Sequence, residues 1–348
     1  MFAPQIYKID PLVDERWLRL VERHPGASVF HTAGWLEALR GTYGFQPIVF
    51  TTTPPGQDIE NGMAFCRIRS VLSGERLVSL PFSDHCEPLV DGDELEYLVS
   101  ALKGGLGAGK PRSIEIRPVT APAGLLAELR SEPSFWLHWL DLRPRLEDLF
   151  RGFHKDCVQR SIRRAERERL TYEEGRSEEL LQSFYRLMVL TRRRQQLPPQ
   201  PLAWFRNLIA CMGDKLKIRV ASKDGRPVAS ILTLRHKGTL TYKYGCSDKS
   251  LGAMGGMQFL FWKAIQEAKN AGLVEFDLGR TDLDNAGLIA FKERWGAQRS
   301  ALVYLRYPVR CAKPGIDRLG GRIARQLVSV APDCVLKTAG RVLYRYFG

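Results

Sequence analysis

The sequence predicts an α/β (α+β) fold of two tandem domains, each a mixed, mainly antiparallel central sheet flanked by helices. Three observations lead there. At 348 residues the chain is longer than one hydrophobic core usually serves. Two segments far apart in sequence read as the same unit, a strand closing on Ser-Asp, then a helix, then a short apolar strand; they span 75–117 and 239–278. The second half also alternates apolar and polar residues through three consecutive runs separated by turn residues, as an antiparallel meander does. The expected boundaries are 1–144, 145–308 and a basic amphipathic tail over 309–348.

In the first repeat the strand is 75–84, the helix 93–106 and the closing strand 113–117. Helical spacing of apolar residues then predicts helices over 157–170, 177–194 and 202–212. Residues 216–222 alternate, 223–226 (Lys-Asp-Gly-Arg) turn, and 227–235 alternate again; His236-Lys-Gly238 turns the chain into a third strand at 239–245. A glycine-rich passage, 251–256, opens a helix with Phe259, Trp262 and Ile265 on one face. A strand at 274–278, a helix at 285–295 and a last strand at 300–307 complete the order βββαβαβ. From Arg310 onward the chain is basic with apolar periodicity, broken by Gly315, Pro332 and Gly340. It reads either as a helical tail folded back on the domain or as an amphipathic element at a membrane surface.

Composition excludes several classes. Apolar residues at 44% and charged residues at 26% fit a globular chain. No run approaches the roughly 18 apolar residues of a membrane span, and 1–10 has no secretory pattern, so the expected location is cytoplasmic, with peripheral contact at the inner membrane face through the tail. Seven scattered cysteines without a C-x-x-C pair argue against a disulfide framework and against a zinc site; no metal is expected. A net charge of +14 calls for an anionic partner, such as nucleotide phosphates, tRNA, an acidic glycolipid or a membrane; nothing calls for DNA.

Some residues carry chemistry by position. Asp277-Leu-Gly279-Arg280 follows an apolar strand, and strand ends in α/β folds open towards ligands, so Arg280 can meet a phosphate or carboxylate; an Asp277–Arg280 or Asp277–Arg294 ion pair ordering the loop is the alternative. Asp277 is also a candidate proton acceptor. Tyr242 and Tyr244 alternate on their strand; one is read as core, and Tyr244 is carried forward as the ligand contact. Arg160, Arg163, Arg164 and Arg167 fall at helical neighbour spacing, either as a phosphate-binding face or as a solvated one paired with Glu166 and Glu168. No Ser-His-Asp or Cys-His arrangement is present, so direct attack on a bound donor is the simpler route.

The runs Tyr242-Lys-Tyr-Gly-Cys-Ser-Asp248, Phe276-Asp-Leu-Gly-Arg-Thr281 and Gly287-Leu-Ile-Ala-Phe-Lys-Glu-Arg-Trp-Gly296 resemble the Fem-type (FemAB-like) branch of the GNAT acyltransferase superfamily. Ser28-Val-Phe-His-Thr-Ala-Gly-Trp35, Leu80-Pro-Phe-Ser-Asp84 and Thr191-Arg-Arg-Arg194 fit the same branch, so the likeness spans about 25–308. It implies two GNAT-like domains. It also implies that Lys292, in the Phe291-Lys292 pair, stabilises the tetrahedral intermediate; the alternative is an exposed helix lysine between Phe291 and Glu293-Arg294. Arg193 or Arg194 would hold the acceptor's diphosphate. Where the family has a lysine four residues after the tryptophan, this chain has Leu39, with Arg40 beside it. The stretch 249–254, with Gly252 and then Gly255, approximates the loop that cradles the coenzyme A pyrophosphate.

The expected function is N-acyl transfer to a small-molecule or lipid-linked amine: a cell-envelope or polysaccharide precursor, or an amino acid. No cofactor is bound covalently. The co-substrate is acyl-CoA, which is favoured, or aminoacyl-tRNA for addition to a peptidoglycan precursor. A non-catalytic module binding an anionic glycan or membrane is the remaining alternative.

Overall fold

The structure, a computed structural model, describes residues 5–70, 74–106, 111–120, 129, 133–252, 254–308 and 331–346. Most of the expected tail, 309–330, lies outside the described residues, as does Cys311. In chain order the elements are β1 (Tyr7–Ile9), α1 (Glu15–Arg23), α2 (Ala33–Tyr43), β2 (Gln46–Thr51), β3 (Met63–Ser70), β4 (Gly74–Val78), α3 (Gly92–Gly104), β5 (Ser113–Ile116), β6 (Pro133–Asp141), α4 (Leu146–Gly152), α5 (Arg160–Arg167) and β7 (Thr171–Gly175). There follow α6 (Glu178–Arg194), α7 (Leu202–Met212), β8 (Leu216–Lys223), β9 (Arg226–His236), β10 (Thr239–Ser247), α8 (Gly256–Asn270), β11 (Glu275–Asp282), α9 (Ala286–Glu293), β12 (Gln298–Val303), β13 (Leu305–Tyr307) and α10 (Asp333–Leu343).

The strands form two sheets, ordered β1-β2-β3-β4-β5-β13 and β12-β6-β11-β10-β9-β8-β7. Each contains an antiparallel meander of four strands, β1 to β4 or β7 to β10, whose last member pairs in parallel with the strand that follows a crossover helix. The two segments that read as repeats are these crossovers, β4-α3-β5 and β10-α8-β11. The chain accordingly divides into two compact units, 1–135 with 301–316 and 342–348, and 136–300 with 317–341. One strand at 300–307 was expected. The chain instead forms β12 and β13, which join different sheets, and between them Tyr304 is buried with its hydroxyl donating to the Asp84 carbonyl at 2.7 Å.

Local chemistry explains the second unit's elements. The Ser177 side chain caps α6 by accepting from Leu180 N–H, Glu178 and Glu179 stand in its first turn, and Arg192, Arg193 and Arg194 in its last, each sign complementing the helix dipole. Asp224 and Gly225 both have positive φ, as the tight hairpin between β8 and β9 requires. The core gathers Phe259, Leu260, Phe261, Ala264 and Ile265 of α8 with Ile162 and Ala165 of α5 and with Ile231, Leu240 and Phe276 of the sheet. Among the described residues no helix is long and apolar enough to cross a membrane.

The glycines before α8 are fixed by that packing. Gly255 caps the helix at φ 77°, and a Cβ there would lie 2.1 Å from the Ser161 carbonyl oxygen of α5. Gly252 has φ 80° but faces open space. Gly255→Ala is therefore expected to cost about 2 kcal/mol or more in denaturant unfolding through the clash, and Gly252→Ala about 1–3 kcal/mol through its backbone alone, since φ 80° with ψ −178° is a conformation nearly confined to glycine.

Candidate active site

The second sheet forks. β10 stays bonded to β9 from Thr239 to Ser247, but it pairs with β11 only over Thr239–Thr241 against Glu275–Asp277, although both strands continue. A β-bulge lies between Tyr242 and Tyr244 where the pairing ends. Bulges bend a strand and reverse the alternation of its side chains. The two tyrosines thus part company. The Tyr244 ring meets Phe184 and Phe205, and its hydroxyl accepts from Trp204 Nε1 at 2.9 Å. The Tyr242 ring packs on Phe261 at 4.7 Å, with its hydroxyl folded over Gly245, where a Cβ would come within 1.9 Å of it. Desolvation pushes the Tyr242 phenol well above its ordinary range. At the fork it is Tyr242, and not Tyr244, that stands close to the backbone.

The β11 arm carries a buried polar group of unusual kind. The buried residue of α9 is Lys292, 2% exposed, whose Nζ donates to the Gly279 carbonyl at 2.8 Å and the Arg280 carbonyl at 3.0 Å. Successive carbonyls of a regular strand point opposite ways, so both can reach one ammonium only because Gly279 takes φ 72°. Asp277, also buried, holds that turn by accepting from Gly279 N–H at 2.7 Å. α9 is aimed by its Asn285 cap, which accepts from Leu288 N–H, and by Phe291, edge-on to Phe261 at 5.4 Å. Lys292 is no solvated helix lysine; that alternative is excluded by its burial.

Sequence reasoning missed His138. It lies on β6, fully buried, with Nδ1 3.5 Å from Thr281 Oγ1 and with Nε2 lacking a hydrogen-bond partner. Burial, then the charges of Lys292 and Arg299, lower its pKa to about 4. The available signal was a lone histidine in the apolar, aromatic-rich run 135–140, Phe-Trp-Leu-His-Trp-Leu, which marks a buried strand but not its neighbour.

The other expected residues belong to α2, α5, α6 and the turn before α8. Arg194 donates to the Ser247 carbonyl at 3.0 Å, and Thr191 Oγ1 accepts from Ser247 N–H at 3.0 Å, so the end of α6 fastens the free end of β10. Arg193 donates to the Ala331 carbonyl and pairs with Asp333 at 2.5 Å. Gly252 and Gly255 flank the turn between β10 and α8, whose first turn has no side-chain cap. Arg164 is exposed on α5 beside Arg160, Arg163 and Arg167, which are exposed as well. Arg40 belongs to the first unit, where it lines a cavity of about 410 Å³ with Lys8, Asp10, Gln46 and Arg67.

The matching place in the first unit is filled. β4 and β5 pair over Arg76–Val78 and Ser113–Glu115, and beyond them Arg117, 6% exposed, donates to the Leu80 and Ser83 carbonyls at 3.1 Å each and to Glu115 at 2.9 Å. Burial alone would raise the Glu115 carboxyl; Arg117 and Arg306 beside it overcome that and hold it at about 2.

Residues 153–293 match the acetyltransferase (GNAT) domain family. The chain carries a GNAT domain. The chain is similar in fold to the solved structure of FemX, at 15% identity and TM-score 0.69 over 86% of this chain and 97% of that one. The C-terminal domain of a putative lysylphosphatidylglycerol synthetase from Agrobacterium fabrum gives 16% identity and TM-score 0.56 over 90% and 94%. A tandem GNAT protein from the clavulanic acid biosynthesis pathway gives 12% and 0.55 over 87% and 97%. Among curated proteins none matches the chain by sequence. The matched GNAT span holds the fork and Lys292 but not β6, so His138 reaches the GNAT domain from outside it.

Two histidines, the buried His138 and the half-buried His236, titrate below their ordinary range. Burial, with neighbouring lysines, also lowers His236 to about 4. A folded pKa below the ordinary 6.5 means that the unfolded chain takes up protons first, so this stability is present above pH 6.5 and is lost as pH falls towards 4. Thermal unfolding is expected to drop across that window, and His138→Leu to flatten part of the slope while leaving the His236 share.

Proposed function

We propose that the chain is an N-acyltransferase that holds an activated acyl donor in the fork between β10 and β11 and passes the acyl group to an amine. The observation that supports this most is the buried Lys292 ammonium at the β11 arm. Where the strands stop pairing with each other, an extended donor can lie between them as a surrogate strand. Attack by a neutral amine turns the donor carbonyl into an oxyanion, and a fixed positive charge beside it needs no reorganisation as that charge develops. Lys292 supplies the charge; Asp277 keeps Gly279 turned, and so keeps the carbonyls that hold Lys292. The uncapped first turn of α8 and the Gly252 turn present backbone N–H groups to the donor's phosphates, which favours acyl-CoA.

The acceptor in this reading is an amine on an anionic small molecule or lipid-linked precursor, in keeping with a net charge of +14. FemX and the lysylphosphatidylglycerol synthetase domain share the fold, which supports envelope precursors as the class to test first. A second reading, aminoacyl-tRNA as donor, is favoured by the exposed arginine face of α5, whose span suits a phosphodiester strand better than a single pyrophosphate.

Acetyl-CoA or coenzyme A at millimolar concentration is expected to raise the unfolding temperature by several degrees. Absence of a shift, together with salt-sensitive binding of tRNA, would move the donor to the second reading. Lys292→Met is expected to lower kcat by about 10²–10³ with KM little changed. The same change leaves two buried carbonyls unbonded and should cost about 2–4 kcal/mol of stability, so rates must be compared below the variant's unfolding temperature.

A further inference from the structure

The C-terminal helix α10 offers a surface that acyl transfer does not use. Its inward side is locked: Leu336 and Gly340 are buried, and a Cβ on Gly340 would lie 1.9 Å from the Pro199 carbonyl oxygen. Lys337 lies 5.8 Å from the Tyr185 ring centre, and Arg193 grips Ala331 and Asp333. These contacts fix the rotation of the helix about its axis. The side left outward carries Val335 and Val342, 52% and 51% exposed and two turns apart, with Cys334, Arg341 and Arg345 exposed beside them. Neither valine can be turned inward without breaking the Gly340 contact.

We propose that this face of α10 rests on the surface of a bilayer containing anionic lipid. The valines would enter the boundary between headgroups and acyl chains while Arg341 and Arg345 meet the phosphates. Charge selects this occupant. From 310 to the end the sequence is rich in lysine and arginine, with Asp317 and Asp333 its only acids, and Asp333 is already engaged by Arg193. A second copy of the chain would bring the same arginines face to face, a repulsive arrangement. Two valines alone bury too little for tight binding, so attachment should be weak, reversible and salt-sensitive. It would bring the enzyme to lipid-linked substrates, but it does not depend on the acyltransferase reading and is tested without activity.

The test is co-sedimentation of the full chain with phosphatidylcholine vesicles and with vesicles containing one third phosphatidylglycerol, at about 5 mM NaCl and at about 0.5 M NaCl, where the Debye length is roughly tenfold shorter. The chain should sediment with the anionic vesicles at low salt, at least about fivefold more than with the neutral ones, and should be released by salt. Val335→Asp with Val342→Asp, and separately Arg341→Glu with Arg345→Glu, should each abolish the difference; both pairs are exposed, and an unchanged unfolding temperature would verify the fold. Equal binding to both vesicle types, or anionic binding that both double variants retain, would overturn the proposal. So would self-association of the parent chain that the valine variant removes, which would make the face an interface between copies.

Discussion

A single ammonium organises the candidate site. Burying the charge of Lys292 is unfavourable unless hydrogen-bond acceptors replace its water. Two carbonyls of β11 do so, and they converge only because Gly279 adopts a conformation that a side chain would resist. Asp277 secures that turn, Asn285 starts the helix at the right place, and Phe291 on Phe261 holds it down. The run from Asp277 to Lys292 is one device, and a change to any of these residues acts through the same ammonium.

Much of this was written in the sequence in readable form. Alternation gave β8, β9 and β10 nearly to the residue, turn chemistry at Asp224-Gly225 separated the first two, and helical spacing found α6, α7 and α8. Asp277, Gly279 and Lys292 were singled out before their geometry was known, the lysine through family likeness and the other two through strand-end chemistry. What periodicity cannot express is a change of period. The bulge between Tyr242 and Tyr244 shifts the register and sends their rings to different neighbours, Phe261 for one and Phe184 and Phe205 for the other. Nor does a strand's sequence state its neighbour. β6 reads as part of the first half, and only the fold brings His138 to Thr281. The arginines at the end of α6 were legible as a cluster, but the partners of Arg193 and Arg194 lie far along the chain.

The two units solve the same local problem with different cations. Each has a parallel pair that separates, leaving carbonyls in need of donors. In the first unit the donor is Arg117, on the chain just past β5, and its planar guanidinium reaches Leu80 and Ser83 across the separation while pairing with Glu115. In the second the donor comes from a helix beyond the strand, and it binds two carbonyls of β11. A guanidinium that ties two arms together makes a closed structural joint, whereas a compact ammonium serves as a point charge.

The exchange of outer strands has a consequence for how the chain is made. β13 completes the first sheet beside β5, yet it is among the last strands to leave the ribosome, and β6, made early, has no β11 to join until most of the second unit exists. During synthesis the β5 edge therefore stands unpaired from Ile116 until Leu305 emerges, with its backbone groups open to any other strand. The order of translation thus runs against the order of pairing, and the nascent first half is the stage at which this protein has most need of a chaperone.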